Sequence, residues 1–358
     1  MISAREFLES LTDNKKQYGL DILQLCQYEG KRAAFHAFCT DGIVSAALLK
    51  SVAEPIDVFI PLDYWILKQP PIRQYLSKLE WFSVIDLEPF PEKEFDLYID
   101  HHRSSIGKGI IARRIHLETG VSGPSAAYVL SNIKSMAITL EEKHFELVEL
   151  TKFTDTGSFQ IEGPLNSIDI NKMPLNINER VWLLEDACKS CNNVSDILEL
   201  VEELSKNGLQ GVLDPKIIAR INQHRKKRKY GVDYASKQTA GEVTILINPP
   251  DAQLQDTIVH TLLKQPNAIA TASLIATQTG VRVSMRLSKR FQREKPEKAQ
   301  LIRLDKLGET MDGGGHPAAA GARTKTIDEA EKKIKAYFSS FGYEISILDV
   351  GRDLKPFR

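Results

Sequence analysis

Apolar and polar positions follow two regimes along this 358-residue chain. Over 1–30 the apolar side chains recur at helical spacing. Phe7, Leu8 and Leu11 come first, then Leu20, Ile22, Leu23 and Leu25, and they predict one or two helices. AAFHAF (33–38) breaks the rhythm with a short apolar run that predicts a buried strand. DGIVSAALLKSVA (41–53) predicts the helix after it, with Asp41 near the N-terminus. IDVFIPL (56–62) is a second strand, and WFSVIDL (81–87) and FDLYID (95–100) are two more, each closing on an acidic residue. Strands alternating with helices argue for βαβ units and a parallel sheet.

Helical patterning then runs to about 205, interrupted by TDTGSF (154–159). ETGVSGPSAAYVLSNI, from about 117, opens with turn residues, and Pro124 suits the first turn of a helix. SGPSAA (122–127) reads most simply as a helix start, although its exposed N–H groups could lie near the site. A charged helical stretch, ARINQHRKKRKYG (219–231), reads as a connector whose RKKRKY run is a solvated helix face. Beyond it GEVTILIN (241–248), AIATASLIA (268–276) and VRVSMRL (281–287) read as strands. The loop MDGGGHPAAAG (311–321) then leads to a final amphipathic helix, 327–338. The expected organisation is α/β throughout. A parallel-sheet domain spans 1–205, a helical connector 206–235 and a smaller α/β domain 236–358, with a cleft between the two domains.

Composition narrows the function. The 47 basic and 47 acidic side chains cancel, so a nucleic-acid substrate would have to be held by a local positive patch. No apolar run approaches the roughly 20 residues that cross a bilayer. The N-terminal MISAREFLESLTDNKKQ lacks the basic-then-apolar pattern of a secretory signal. A soluble, cytoplasmic protein with no membrane partner is expected. Cys188 and Cys191 form a CxxC with no second pair to complete a zinc site, so a structural role is expected for them. His116, His144, His224 and His260 read as ordinary structural histidines.

Candidate chemistry sits where strands end, the place where open α/β sheets bind ligands. His36, Cys39 and Asp41 lie in HAFCTDG. Asp86 closes one strand, Asp100, His101 and His102 close another, and Asp155 lies in TDTG. Carboxylates and imidazoles converging on one sheet edge suit a pair of divalent cations. Oxygen ligands hold the charge, and imidazole favours a transition metal. Two such ions about 3.5–4 Å apart clamp a phosphoryl group during in-line attack. In the second domain, Gly313, Gly314 and Gly315 let backbone N–H groups approach an anion, and His316 follows them.

HAFCTDGxxSAA, the Asp of VID, DHH, TDTG and GGGHPAAAG stand in the order of the motifs of DHH phosphoesterases. The last resembles the signature of their DHH-associated C-terminal domain. That superfamily includes RecJ-type single-strand exonucleases, nanoRNases, cyclic-dinucleotide phosphodiesterases and related pyrophosphatases and polyphosphatases. The resemblance implies a first metal on His36 and Asp86 and a second on Asp41, Asp86, His101 and Asp155, with Asp86 shared. It casts His102 against the scissile phosphate, Asp100 as the partner that orients an imidazole, and the nucleophile as a water activated by both ions. It puts Arg286 where the family grips substrate phosphate, with Gly313, Gly314, Gly315 and His316 beside it and Lys289, Arg290 and Arg293 as a basic rim. Two divalent ions, Mn²⁺ first and Mg²⁺, Fe²⁺ or Zn²⁺ as alternatives, are the implied cofactors. Cys39 departs from the pattern, standing where many members carry Asp. As a thiolate ligand it would favour iron or zinc. As a small buried residue it would leave the first metal weakly held, and the reading leans toward that second role.

The expected function is hydrolysis of phosphodiester bonds in short oligonucleotides or single strands from an end. Two rivals are kept. One is a phosphatase for polyphosphate or 3′-phosphoadenosine phosphate. The other is a catalytically weak partner protein that binds nucleic acid. RNA or DNA preference, polarity and oligomeric state, a dimer included, stay open.

Overall fold

The computed structural model describes residues 2–11, 14–52, 56–133, 140–156, 175–250, 252–277 and 280–354. The chain divides into two units, 1–224 and 225–358, at a point inside a long helix.

In chain order the first unit has helices α1 (Ala4–Glu9) and α2 (Asn14–Leu25), strand β1 (Arg32–His36), α3 (Thr40–Val52), β2 (Val58–Leu62), α4 (Tyr64–Leu67) and α5 (Pro70–Leu76). Strands β3 (Ser83–Ile85), β4 (Phe95–Asp100) and β5 (Ala112–Leu117) follow. The helices α6 (Ala126–Ser131), α7 (Glu142–Thr156), α8 (Ile177–Lys189), α9 (Val194–Asn207) and α10 (Pro215–Ala235) come after them. All five strands are parallel, in the order β2-β1-β3-β4-β5. Ala33, Ala34 and Phe35 are fully buried, as expected of a central strand covered on both faces, which therefore reads as an apolar run. From β1 the chain crosses to β2 on one side, whereas β3 lies on the other. The crevice beyond the carboxyl ends of β1 and β3 is thus a topological switch point. Register keeps the ends level: Phe35 pairs with Ile85 and Ile85 with Ile99, so His36, Asp86 and Asp100 arrive together.

Three expectations need correction. The strand predicted for 33–38 stops at His36, because Phe38 adopts a left-handed φ of 56° that turns the chain into α3. Pro124 is not in a helical turn, since Ser125 caps α6 and the proline precedes the cap. An edge strand, β5, was not foreseen. Gly157, Ser158 and Phe159 of the TDTGSF run lie outside the described residues.

The second unit continues from the end of α10 with β6 (Val243–Ile247), α11 (Ala252–Leu262), β7 (Ala270–Thr277) and β8 (Gly280–Leu287). Short helices α12 (Lys289–Glu294), α13 (Pro296–Leu301) and α14 (Leu304–Glu309) lead to β9 (Gly314–His316), β10 (Ala319–Thr324), α15 (Ile327–Ser339), β11 (Ile345–Asp349) and α16 (Val350–Asp353). Its mixed sheet runs β11-β6-β7-β8-β10-β9. One face packs Val243, Ile245, Ala272, Leu274, Val283 and Met285 with Ile334 and Phe338 of α15. On the other face Leu246 meets Leu254, Ile258 and Leu262 of α11. The run 311–321 is not a loop. Gly314–His316 form an edge strand that pairs antiparallel with β10, Gly315 facing Ala320 and His316 facing Ala319.

Candidate metal centre

The predicted ligands in the first unit sit at the ends of strands or in the terminal turns of helices. His36 ends β1, and the chain must double back at once to start α3. Gly42 permits this, because a Cβ there would stand 2.1 Å from the His36 carbonyl oxygen. Asp86 follows β3 with φ 54°, a left-handed conformation that an aspartate tolerates better than most residues. Asp41 lies in the first turn of α3 and is 1 % exposed. Its two oxygens accept the backbone N–H groups of Ala126 (2.6 Å) and Ala127 (2.9 Å) at the start of α6. The N–H groups anticipated in SGPSAA therefore reach the site and are spent on Asp41. Asp155 sits in the last turn of α7, where the helix dipole disfavours a carboxylate.

These groups converge. His101 Nε2 lies 3.4 Å from Asp41 Oδ2, 3.6 Å from Asp86 Oδ1 and 3.7 Å from Asp155 Oδ2. His36 Nδ1 is 3.2 Å from Asp86 Oδ2, and Cys39 Sγ is 3.6 Å from the same oxygen. Two sets of potential ligand atoms, His36–Cys39–Asp86 and Asp41–His101–Asp155, each fall within 4.8 Å of one another, as does a third, Asp86–His101–His102. Burial, reinforced by Asp86 and Asp155, pushes the Asp41 carboxyl well above the usual range. Burial also raises Asp155, although His101 opposes it. Carboxylates this close repel by about 2–4 kcal/mol per pair at an effective dielectric near 20. His101 Nε2 and Asp86 Oδ1 are buried with no hydrogen-bond partner, a costly state for polar atoms. Crowded anions beside orphaned ligand atoms fit divalent cations, and the donor set of carboxylate, imidazole and one thiol suits transition metals.

Asp100 plays a different part. Fully buried, it accepts from Tyr98 Oη (2.9 Å), Ser105 Oγ, the His101 and His102 backbone N–H groups and His102 Nδ1 (2.8 Å). Burial acts to raise its carboxyl, but hydrogen bonds from His102, Ser105 and Tyr98 outweigh it and the net shift is downward. In return, the Asp100 hydrogen bond, against burial and with help from Asp86 and Asp155, lifts the His102 imidazole to about 9. Asp100 thus fixes His102 through Nδ1 and leaves Nε2 for another partner. Sequence reading missed five supporting residues. They are Tyr98 and Ser105 under Asp100, Tyr64 packed edge-on to His36 at 4.7 Å between centroids, and the α8 pair Glu185 and Lys189 holding Thr40 and the Phe38 carbonyl. Only Ser105, a hydroxyl close behind DHH, carried a local signal.

On the second unit, the register aligns Thr271, Arg286, Ala319 and His316 across four neighbouring strands, with their side chains on one face. Arg286 and His316, far apart in sequence, are therefore two strands apart with only a methyl between them. His316 Nδ1 accepts the Ala318 N–H (3.1 Å), which leaves its Nε2 as the donor. Gly313 is needed for packing, since a Cβ would meet Gly321 O at 2.1 Å, and its N–H donates to Gly308 O. A Cβ on Gly314 would meet open space, and Gly315 has φ 144°. Arg290 is held by the carbonyls of Gln265 and Pro266. Cys188 and Cys191 are buried free thiols on or beside α8. No helix among the described residues is long and apolar enough to cross a membrane.

No family model and no curated protein matches the chain. Solved structures do. A pGpG-specific phosphodiesterase, PggH, from Vibrio cholerae is 18% identical, with a TM-score of 0.59 over 87% of this chain and 99% of that one. Exonuclease RecJ bound to manganese is 12% identical, with a TM-score of 0.52 over 99% and 97%. The DHH domain of a member of a ribosomal-protein family is 11% identical, with a TM-score of 0.54 over 95% and 92%. At these identities the likeness establishes the fold.

Proposed function

Because the chain has the fold of DHH-domain phosphoesterases, we propose that it is a metal-dependent hydrolase that cleaves phosphodiester bonds of short oligonucleotides or single strands from an end. The observation that carries this reading is His101 Nε2, buried without a hydrogen-bond partner and within 3.7 Å of three carboxylates. His36, Asp41, Asp86, His101 and Asp155 would hold two divalent ions, Mn²⁺ foremost. Such ions polarise a phosphoryl oxygen and bring the pKa of a coordinated water toward about 7.

The chain's own groups do the rest. The α6 N–H groups hold Asp41 in place, and Asp100 orients His102 so that Nε2–H can donate to a phosphate oxygen at the reacting centre. In the second unit, Arg286 offers a planar fork and His316 an Nε2–H to a substrate phosphate. The solved relatives named for pGpG and for exonuclease activity favour nucleotide substrates over polyphosphate. Four free thiols agree with a reducing, cytoplasmic setting.

The test is to incubate 5′- and 3′-labelled dimers to decamers, as RNA and as DNA, with Mn²⁺, and to follow the products. Stepwise release of mononucleotides supports the proposal. Release of inorganic phosphate alone would favour a small-substrate phosphatase. Wild type no faster than Asp155→Ala would favour a binding protein without catalysis.

A further inference from the structure

The two outer ligand sets of the metal centre differ in kind. Asp41, His101 and Asp155 offer two carboxylates and one imidazole, whereas His36, Cys39 and Asp86 offer an imidazole, a thiol and a carboxylate. Sequence alone leaned toward Cys39 as a bystander. The geometry points the other way. A bystander cysteine packs among apolar side chains, but Cys39 Sγ is 3.6 Å from Asp86 Oδ2, the oxygen that also faces His36 Nδ1. The backbone spends strain to put it there. Phe38, just before it, holds a left-handed φ of 56°, and its carbonyl is clamped by Lys189 Nζ at 3.1 Å. The Cys39 carbonyl accepts the Ile43 N–H, which seats the thiol at the N-terminus of the 13-residue helix α3, where a thiolate is favoured.

We infer that Cys39 is a thiolate ligand, and that the centre is built for two unlike ions: a soft-site ion such as zinc or ferrous iron on His36, Cys39 and Asp86, and a hard-site ion such as manganese or magnesium on Asp41, His101 and Asp155. This rests on the metal-centre reading above and adds the division between the two halves. Thiolate selects zinc and iron, while carboxylate-rich sites accept manganese and magnesium. Asp86, placed between the sets, can serve both.

Cobalt reports the difference without any turnover. The full-length protein is stripped with chelator and titrated with Co²⁺, with bound metal counted by mass spectrometry. The expected result is two cobalt ions per chain and a thiolate-to-cobalt charge-transfer band in the near ultraviolet that saturates with one of them. Cys39→Ser should lose the band and weaken zinc binding by roughly tenfold or more, while Mn²⁺ at the other set, followed by its paramagnetic resonance, stays within about twofold of wild type. Cys39→Asp is the second variant, in case the serine protein does not fold. It should bind two Mn²⁺ and show no band. Zinc should also shield Cys39 from alkylation in wild type, read by peptide mass spectrometry. Two cobalt ions with no band, or a band that persists in Cys39→Ser or Cys39→Asp, would overturn the inference and leave the dinuclear reading standing. A wild-type protein that binds no divalent ion at all would sink the metal-centre reading itself.

Discussion

Asp86 combines a left-handed backbone, complete burial and a carboxylate oxygen with no hydrogen-bond partner, three costs at one position. Asn adopts positive φ as readily and has nearly the same shape, so Asp86→Asn removes the charge and little else. In chelator the variant should be as stable as wild type, or up to about 1 kcal/mol more stable, since repulsion with Asp41 is relieved. Mn²⁺ should no longer raise its melting temperature, whereas wild type at a hundredfold Kd gains about 2.7 kcal/mol. Calorimetry with and without metal reads both. Asp100 is the opposite case, a carboxylate saturated by five donors and so unavailable to an ion. Asp100→Asn removes the charge that holds His102 up near 9. In metal-free protein, the His102 titration followed by NMR should fall back toward the usual imidazole range. Activity should drop by roughly 10–100-fold. An unmoved His102 titration would refute this account of Asp100.

At the scale of elements, α6 shows how a six-residue helix holds a ligand from a distant segment. Ala126 is the first residue of that helix, where proline is tolerated, and Ser125 before it is already extended (φ −162°, ψ 159°). Ala126→Pro should leave the fold intact by circular dichroism yet delete the 2.6 Å bond to Asp41, and Mn²⁺ affinity should fall by about tenfold in calorimetric titration. The same scale shows what was legible in the sequence. Strands β1, β3 and β4, and also β2 at the other edge of the sheet, were readable because their residues are largely buried, which gives apolar runs such as AAF and LYI. The edge strand β5, ARRIHL, was not, because a half-exposed edge tolerates Arg113, Arg114 and His116. GGGH was recognised for its chemistry but misjudged as a loop, since glycines carry no strand signal and only the pairing with β10 reveals the ladder. The ligands themselves were visible as residue types at strand ends. Among their supports, Tyr64 and Glu185 were not, because each reaches the site from a distant segment through tertiary packing that no local spacing encodes.

Over the whole molecule, the two units carry different pH liabilities. In the second unit, burial and then the Arg286 guanidinium, with Lys264 and Lys289, bring His260 down to about 4, so a histidine read from sequence as unremarkable stays neutral when folded. The unfolded chain takes up that proton below about 6.5. Stability from His260 is therefore intact above that pH and is lost as pH falls from about 6.5 to 4, by about 3 kcal/mol at the low end. His260→Gln should flatten this part of the profile in denaturant titrations across that window, and a parallel fall in wild type and variant would refute it. The row Thr271, Arg286, Ala319, His316 also has a consequence of size. Strands about 4.8 Å apart put the guanidinium and the imidazole on lines roughly 10 Å apart, with a methyl as the floor between them. Any bulkier side chain at 319 would plug that notch from within. The alanine there leaves nothing longer than a methyl on the strand that separates Arg286 from His316, so the length of the side chain at 319 sets how far those two groups stay open to each other.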